Sequence, residues 1–333
     1  MKKENKNELP VLNLQAPKPV KVLAADKAKV VVYQTEEEMG LSTAINISSR
    51  QIELVEKNGH TSMIVMAAPS AFSFYSAYIG LAKCSAKLQD AIRNTHFFQF
   101  DDYPLCNTHP VLFKFLLNKN LFFPLADYYD PKKIHLFKID SSCSGADCKE
   151  YADLIMKFGP DLQIKGQGED AHWGFHLPGI PLDAKPAFIE VKLNKMTIAQ
   201  QMRDHPKLFA KASDVPAVGY TANVPLFMKT KVLIEDNVPQ ESKAFALVAS
   251  FGNSNVDSLC PSGMMKKHHN AVCRTTQKAA WALLEYRNKG YLSKYDIKKL
   301  DEIWDTPGDP EVTGYKKKFM RDTFSKLKIK YEE

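Results

Sequence analysis

Three short stretches of this 333-residue chain combine reactive side chains with turn-forming residues. The longest is Gly166-Gln167-Gly168-Glu169-Asp170-Ala171-His172-Trp173-Gly174-Phe175-His176-Leu177-Pro178-Gly179. A carboxylate two residues before a histidine, in a loop with close glycines, can orient an imidazole and set its pKa near working pH. Such a histidine can carry a proton between a sugar's ring oxygen and its anomeric hydroxyl. A solvated histidine in a surface turn would leave the same pattern. The second stretch, Asp101-Asp102-Tyr103, puts two carboxylates straight after the apolar run Phe97–Phe100. Carboxylates buried without partners are costly, so this pair is expected to face a cleft or solvent. One of them could be the base that shuttles a proton between adjacent carbons; the competing role is an N-cap for the next helix. The third stretch, Pro69-Ser70-Ala71-Phe72-Ser73, offers two hydroxyls in a tight loop.

Each stretch follows a predicted strand. Apolar runs predict strands at 29–33, 62–68, 95–100, 161–165, 187–193, 216–221 and 231–236. Helical periodicity follows Thr35 up to Gly59, with Glu38 completing a capping box, and recurs up to about Asn94 and over 109–119, 145–158, 242–251 and 274–288. This alternation predicts an α/β fold: a modified doubly wound, Rossmann-like, mostly parallel sheet with helices on both faces. Ligands bind outside the carboxyl ends of the strands in such sheets, which is where the three stretches fall. Residues 1–29 read as an extended arm with Pro10, Pro17 and Pro19, 30–288 as the α/β domain, and 289–333 as a charged helical tail. In that tail Met320, Phe324, Leu327 and Tyr331 fall on one helical face, which predicts that it packs on the body or on a partner subunit of a homo-oligomer.

Composition limits the partners. Hydrophobic residues make up 44% of the chain, enough for a large core and too many for a mostly disordered protein. The net charge of +7 sits at the ends: residues 1–32 and 316–333 carry +4 each, leaving about −1 between them. A nucleic-acid enzyme would more often carry its basic patch on the folded body, so the ends read as solvated or packing segments and no nucleic-acid partner is expected. The longest apolar runs are too short to span a membrane, and the N-terminal sequence lacks the apolar core of a secretory signal. Six cysteines include no CxxC pair, and no histidine cluster has zinc-ligand spacing, so neither a metal nor a cofactor is expected. Cys143 and Cys148, five apart in a polar loop, read as unpaired thiols. A reduced, cytoplasmic compartment fits this pattern.

In order along the chain, the hydroxyl-bearing loop, FxxDDY, GxGEDxHxxFxxPG and Ser242-Lys243-Ala244-Phe245-Ala246-Leu247 together resemble the glucosamine-6-phosphate deaminase/isomerase family and its sisters, the 6-phosphogluconolactonases. The resemblance covers residues 30–280. It implies that Asp101 is the carboxylate that moves a proton between C1 and C2 of an amino sugar phosphate, with Asp102 beside it as a substrate-binding acid. His172 becomes the ring-opening acid/base and Asp170 the acid that orients it. Lys243, Ser70 and Ser73 become phosphate contacts, and Lys207 or Arg203 stands in the region of a phosphate-binding arginine. The sequence also departs from the family. Leu177 stands where the deaminases have the glutamate that completes their histidine relay; the lactonases also carry an apolar residue there, and His176 stands next to it. Ala71 and Phe72 occupy a phosphate loop that is glycine-rich in the family, and Ala171 replaces a glycine. Three functions stay open: deamination with isomerisation, lactone hydrolysis, and sugar-phosphate binding by a catalytically impaired paralogue.

Overall fold

The structure is a computed structural model that describes residues 8–9, 14–105, 109–138 and 145–333. Cys106 and Cys143 lie outside the described residues. In chain order the strands are β1 (Glu8–Leu9), β2 (Leu14–Gln15), β3 (Lys21–Ala25), β4 (Ala28–Tyr33), β5 (Thr61–Val65), β6 (Thr95–Gln99), β7 (Asp101–Asp102), β8 (Ile134–His135), β9 (Leu162–Lys165), β10 (Phe188–Lys192), β11 (Val218–Ala222), β12 (Leu233–Val238) and β13 (Ala271–Thr276). The α-helices are α1 (Glu36–Asn58), α2 (Phe72–Cys84), α3 (Ala86–Arg93), α4 (Phe113–Leu117), α5 (Gly145–Phe158), α6 (Lys195–Asp204), α7 (Val224–Phe227), α8 (Ala244–Phe251), α9 (Gln277–Lys289), α10 (Lys294–Ile303) and α11 (Pro310–Leu327).

Eight strands form the main sheet in the order β3-β4-β13-β12-β9-β5-β6-β8. Only β3 runs antiparallel to its neighbour. The central strands are buried on both faces, which is why β4 and β5 read as continuous apolar runs rather than alternating ones. After β5 the chain moves outward to β6, then returns to β9, β12 and β13 on the other side. The switch point therefore lies between β5 and β9, and the crevice at their carboxyl ends is the expected ligand position.

Four features differ from the sequence reading. Residues 271–276 form the interior strand β13, not the start of a helix. Arg274 in that strand hides its apolar character, and it is tolerated there because its guanidinium bonds Glu235 of β12 at 2.8 Å. The strands at 188–192 and 218–222 are outside the main sheet: β10-β11-β7 is a separate antiparallel sheet. The arm supplies an edge strand, β3. The helix expected over 109–119 shortens to α4, followed by a π turn and a 3₁₀ turn to Leu125.

Helix α1 starts at the predicted capping box: Thr35 Oγ1 accepts from the Glu38 amide, and Glu38 accepts from the Thr35 amide. It crosses β4, β5, β12 and β13 and packs against α2 and α3, while α9 packs on β4, β13 and α8. The tail folds back onto the body through Trp304, Met320, Phe324 and Leu327, all buried. Its helix ends at Lys328, in the left-handed conformation, so Tyr331 leaves the helical face and pairs with Leu292 instead.

Gly40 sets how closely α1 approaches the first turn of α2. A Cβ there would lie 2.5 Å from the Ser73 carbonyl carbon. Gly40→Ala should gain about 1 kcal/mol of helix propensity but lose more to overpacking, typically about 1–3 kcal/mol. Urea unfolding should find the variant less stable; an equal or higher midpoint would contradict the close approach.

Candidate functional site

A cavity with about 110 Å³ open to the centres of water molecules sits at the carboxyl ends of β5, β6, β9 and β12. Asp101, His172, Ser70 and Lys243 all line it. Residues from three separate stretches and from the SKAFAL segment thus meet around one space.

Asp101 and Asp102 are neighbours on β7 with opposite fates. Asp102 is fully buried, and both its oxygens are used. Oδ1 accepts from the Tyr103 and Phe113 amides, each at 2.8 Å. Oδ2 accepts from Gln99 Nε2 at 2.5 Å and from the Lys114 amide at 3.1 Å. It therefore caps α4 and does not line the cavity, which corrects its expected role in substrate binding. Burial pushes it up to about 6 against these four hydrogen bonds. Asp101 turns the other way, into the cavity, only 7% exposed and with no polar partner for its carboxyl among the described residues. Burial, then the Asp102 charge, raises it well above the ordinary carboxylate range.

The imidazole is held by its own loop. His172 Nδ1 lies 2.6 Å from Asp170 Oδ1, and the His172 amide donates to the same oxygen at 3.2 Å. Burial alone would raise Asp170, but the His172 charge and hydrogen bonds from His172 and Asn194 hold it below the usual value. Gly168 lets the ring lie against the backbone, since a Cβ there would meet His172 Cε1 at 2.0 Å. Ala171 stands at φ 65°, a left-handed conformation that glycine adopts freely and that costs other residues about 1–2 kcal/mol. The loop is tied down by Ser262, whose Oγ donates to the His172 carbonyl at 2.9 Å and whose amide donates to the Ala171 carbonyl at 3.0 Å.

Leu177 is buried in a cluster with Tyr103, Phe175 and Val191. His176 does not replace the missing glutamate. Its ring spans Ile180 O and the Val224 amide, and burial lowers it to about 4, so it is a neutral structural histidine.

Lys243 and Ser70 meet at one corner of the cavity. Lys243 Nζ donates to Ser70 Oγ at 2.6 Å, and Ser70 Oγ donates to Gln240 at 3.1 Å. Burial lowers Lys243 to about 8, while Glu169, Asp236 and Asp204 oppose that fall. The loop amides do not form a cradle: Ala71 N–H donates to Ala68 O and Phe72 N–H to Pro69 O, inside a 3₁₀ turn. The Phe72 side chain is 37% exposed and does not line the cavity. Ser73 does not line it either, and packs beside Gly40. Lys207 lies in an exposed turn after α6, away from the lining. Arg203 is engaged by Glu169 at 2.8 Å and by Asp204 at 3.3 Å. Neither lines the cavity.

The cavity also takes side chains that the sequence reading passed over: Gln200, Gln201, Asp204 and His205 from α6 and its end. Gln201 is buried, and its Oε1 has no hydrogen-bond partner among the described residues. Their spacing on a helix carries no sequence signal of its own. Beneath the floor, Gln167 links the cavity to a fully buried ion pair, donating to Asp236 at 2.7 Å, while Lys165 Nζ lies 3.1 Å from the same carboxylate. Among the described residues no cluster of metal-ligating side chains occurs, and no helix is long and apolar enough to cross a membrane.

No family model matches the chain. A glucosamine-6-phosphate deaminase of Staphylococcus aureus is 26% identical over 195 residues, which is 58% of this chain and 74% of that protein. A monomeric glucosamine-6-phosphate deaminase of known structure superposes with a TM-score of 0.64 at 20% identity, covering 76% of this chain and 99% of its own. A 6-phosphogluconolactonase from Thermotoga maritima superposes with a TM-score of 0.56 at 15% identity, covering 74% and 99%.

The raised Asp101 carboxyl has a measurable sign. It ionises more readily in the unfolded chain than in the folded one. Its contribution to stability is present below about pH 4 and is lost as pH rises through the folded-state value. Asp101→Asn, which cannot ionise, should be more stable than the native protein at pH 8 and little different at pH 4. Urea unfolding that gives the same difference at both pH values would contradict the buried, unpartnered carboxyl.

Proposed function

We propose that this chain, a divergent member of the group that holds the glucosamine-6-phosphate deaminases and 6-phosphogluconolactonases, is a glucosamine-6-phosphate deaminase-like enzyme. It would convert an amino sugar phosphate to a ketose phosphate and ammonia. The observation that carries the reading is the buried, unpartnered Asp101 carboxyl facing the same cavity as the Asp170–His172 pair. Burial makes Asp101 a stronger base than an ordinary carboxylate, which suits abstraction of a proton next to a carbonyl.

In this reading His172 takes the proton of the anomeric hydroxyl and returns it to the ring oxygen, opening the sugar. Asp170 holds the imidazole for both transfers. Asp101 then removes the C2 proton of the open aldehyde as O1 takes up a proton, giving an enolamine, and delivers the proton to C1 as the amino group gives one up. The product is a 2-imine, to which water adds; ammonia leaves and the ketose phosphate remains. Lys243 and Ser70 anchor the phosphate without the backbone amides of a glycine-rich loop, so binding rests on one ammonium and one hydroxyl. Cys84, Cys260 and Cys273 are free thiols, in accord with a reduced, cytoplasmic setting.

Leu177 favours a second reading. With an apolar side chain where the deaminases place a glutamate, His172 has only Asp170 behind it and would act as base on water attacking 6-phosphogluconolactone. The two readings separate on Asp101, which hydrolysis does not need as a carbon base.

Purified protein is expected to release ammonia from glucosamine 6-phosphate. His172→Ala and Asp101→Asn should each slow that release by about 10²–10⁴-fold, the range for a lost general acid or base. Hydrolysis of 6-phosphogluconolactone without ammonia release would favour the second reading. Inactivity on both, with no thermal shift by either sugar phosphate, would leave a binding paralogue.

A further inference from the structure

The solved deaminase is matched over nearly its whole length by three-quarters of this chain, so a quarter of the chain is additional to it. The tail beyond Asn288 belongs to the part for which the sequence offers no family counterpart. Its helices contact two walls of the cavity.

The first wall is the turn Glu241–Lys243, which delivers Lys243 to Ser70. Trp304, buried at the end of α10, donates from Nε1 to the Ser242 carbonyl at 3.4 Å. Its ring packs edge-on against Phe245 at 4.5 Å between centroids. Lys299 of α10 lies 3.5 Å from Glu241 and 4.1 Å above the Trp281 ring. The residues on both sides of Lys243 are therefore gripped by one tail helix. The second wall is α6, which α11 packs against, with Lys195 and Glu311 paired across the contact. Lys316 of α11 is buried and donates to Thr306 Oγ1 at 2.9 Å. Burial lowers its ammonium, and the Glu169 and Asp170 charges of the histidine loop counter that.

A single lysine anchors the anion here, so its position governs binding more than in a loop with many amide donors. The turn that carries it is three residues long. We propose that the C-terminal helices α10 and α11 are a positioning element of the active site, and that Trp304 is the positioning residue that holds the Lys243 turn against Ser70. The consequence for substrate anchoring rests on the deaminase-like reading; the ordering of the turn does not.

The experiment uses the full chain with Trp304→Ala and Trp304→Phe. Amide hydrogen exchange should speed up about tenfold or more over residues 240–245 in Trp304→Ala, the equivalent of losing one anchoring contact. Exchange over 61–65, in the sheet centre, should not change. Trp304→Phe keeps the ring on Phe245 but loses the bond to Ser242, and should give an intermediate rate. With glucosamine 6-phosphate, KM should rise more than kcat falls, and Trp304→Phe should restore most of KM. Unchanged exchange over 240–245 would overturn the proposal, as would equal acceleration over 61–65. If Trp304→Ala does not fold, Trp304→Phe decides by the same comparison. Native protein that releases no ammonia, while the exchange pattern is as expected, would count against the deaminase-like reading alone.

Discussion

Successive residues of a strand point to opposite sides, and in β7 that constraint falls on two adjacent carboxylates. Asp102 is locked inside by four hydrogen bonds, from Gln99 and from the amides of Tyr103, Phe113 and Lys114. Once Asp102 is fixed, Asp101 has one direction left, into the cavity. It arrives there without a counter-charge and with a like charge next to it, which keeps its proton affinity high. The four bonds to Asp102 tie β6, β7 and α4 together, and they stabilise the placement of a neighbour that is itself unfavourable. A buried carboxyl without a counter-charge is costly to a fold, and such groups concentrate at functional sites.

The rest of the site is built around that group by the topology of the sheet. The switch point between β5 and β9 opens a crevice, and four strand ends feed it. Two of the components are defined by backbone rather than by side chain. Gly168 gives the imidazole a surface to lie on, and Ala171 holds a left-handed turn that brings Asp170 to within 2.6 Å of it. The Asp170–His172 pair is thus tightly held, with Ser262 fixing the loop from outside. Around Lys243, the 3₁₀ turn uses its own amides and Arg203 is committed to Glu169. Lys243 meets Ser70 there, and the turn that carries Lys243 rests on Trp304.

The chemical stretches were legible in the sequence because each is a break in a pattern. Acids directly after Phe100, and glycines with Asp170 and His172 after an apolar strand, stand out in a buried parallel sheet. Strand-and-helix alternation, and the capping box at Thr35, identified the fold class for the same reason. What was not legible depended on partners distant in sequence. The role of Asp102 is set by amides at 113 and 114, eleven and twelve residues on. β13 looked helical because Arg274 interrupts it, and that arginine is made acceptable by Glu235 on the next strand and by the hydroxyls of Tyr33 and Ser42. Ser73 and Lys207 share residue types with phosphate ligands, yet α1 takes the space beside one and an exposed turn holds the other. Gln201, Trp304 and Lys316 carry no motif at all; their importance lies in which wall they touch.

The central claim is that Asp101 moves a carbon-bound proton. Its most direct test follows the hydrogen at C2 of glucosamine 6-phosphate, labelled with deuterium, by NMR. The account predicts that the label leaves C2 as ammonia is released, appearing at C1 of the ketose phosphate or in water, and that it stays at C2 with Asp101→Asn. Label that remains at C2 with the native protein, or that leaves equally fast with Asp101→Asn, would contradict it.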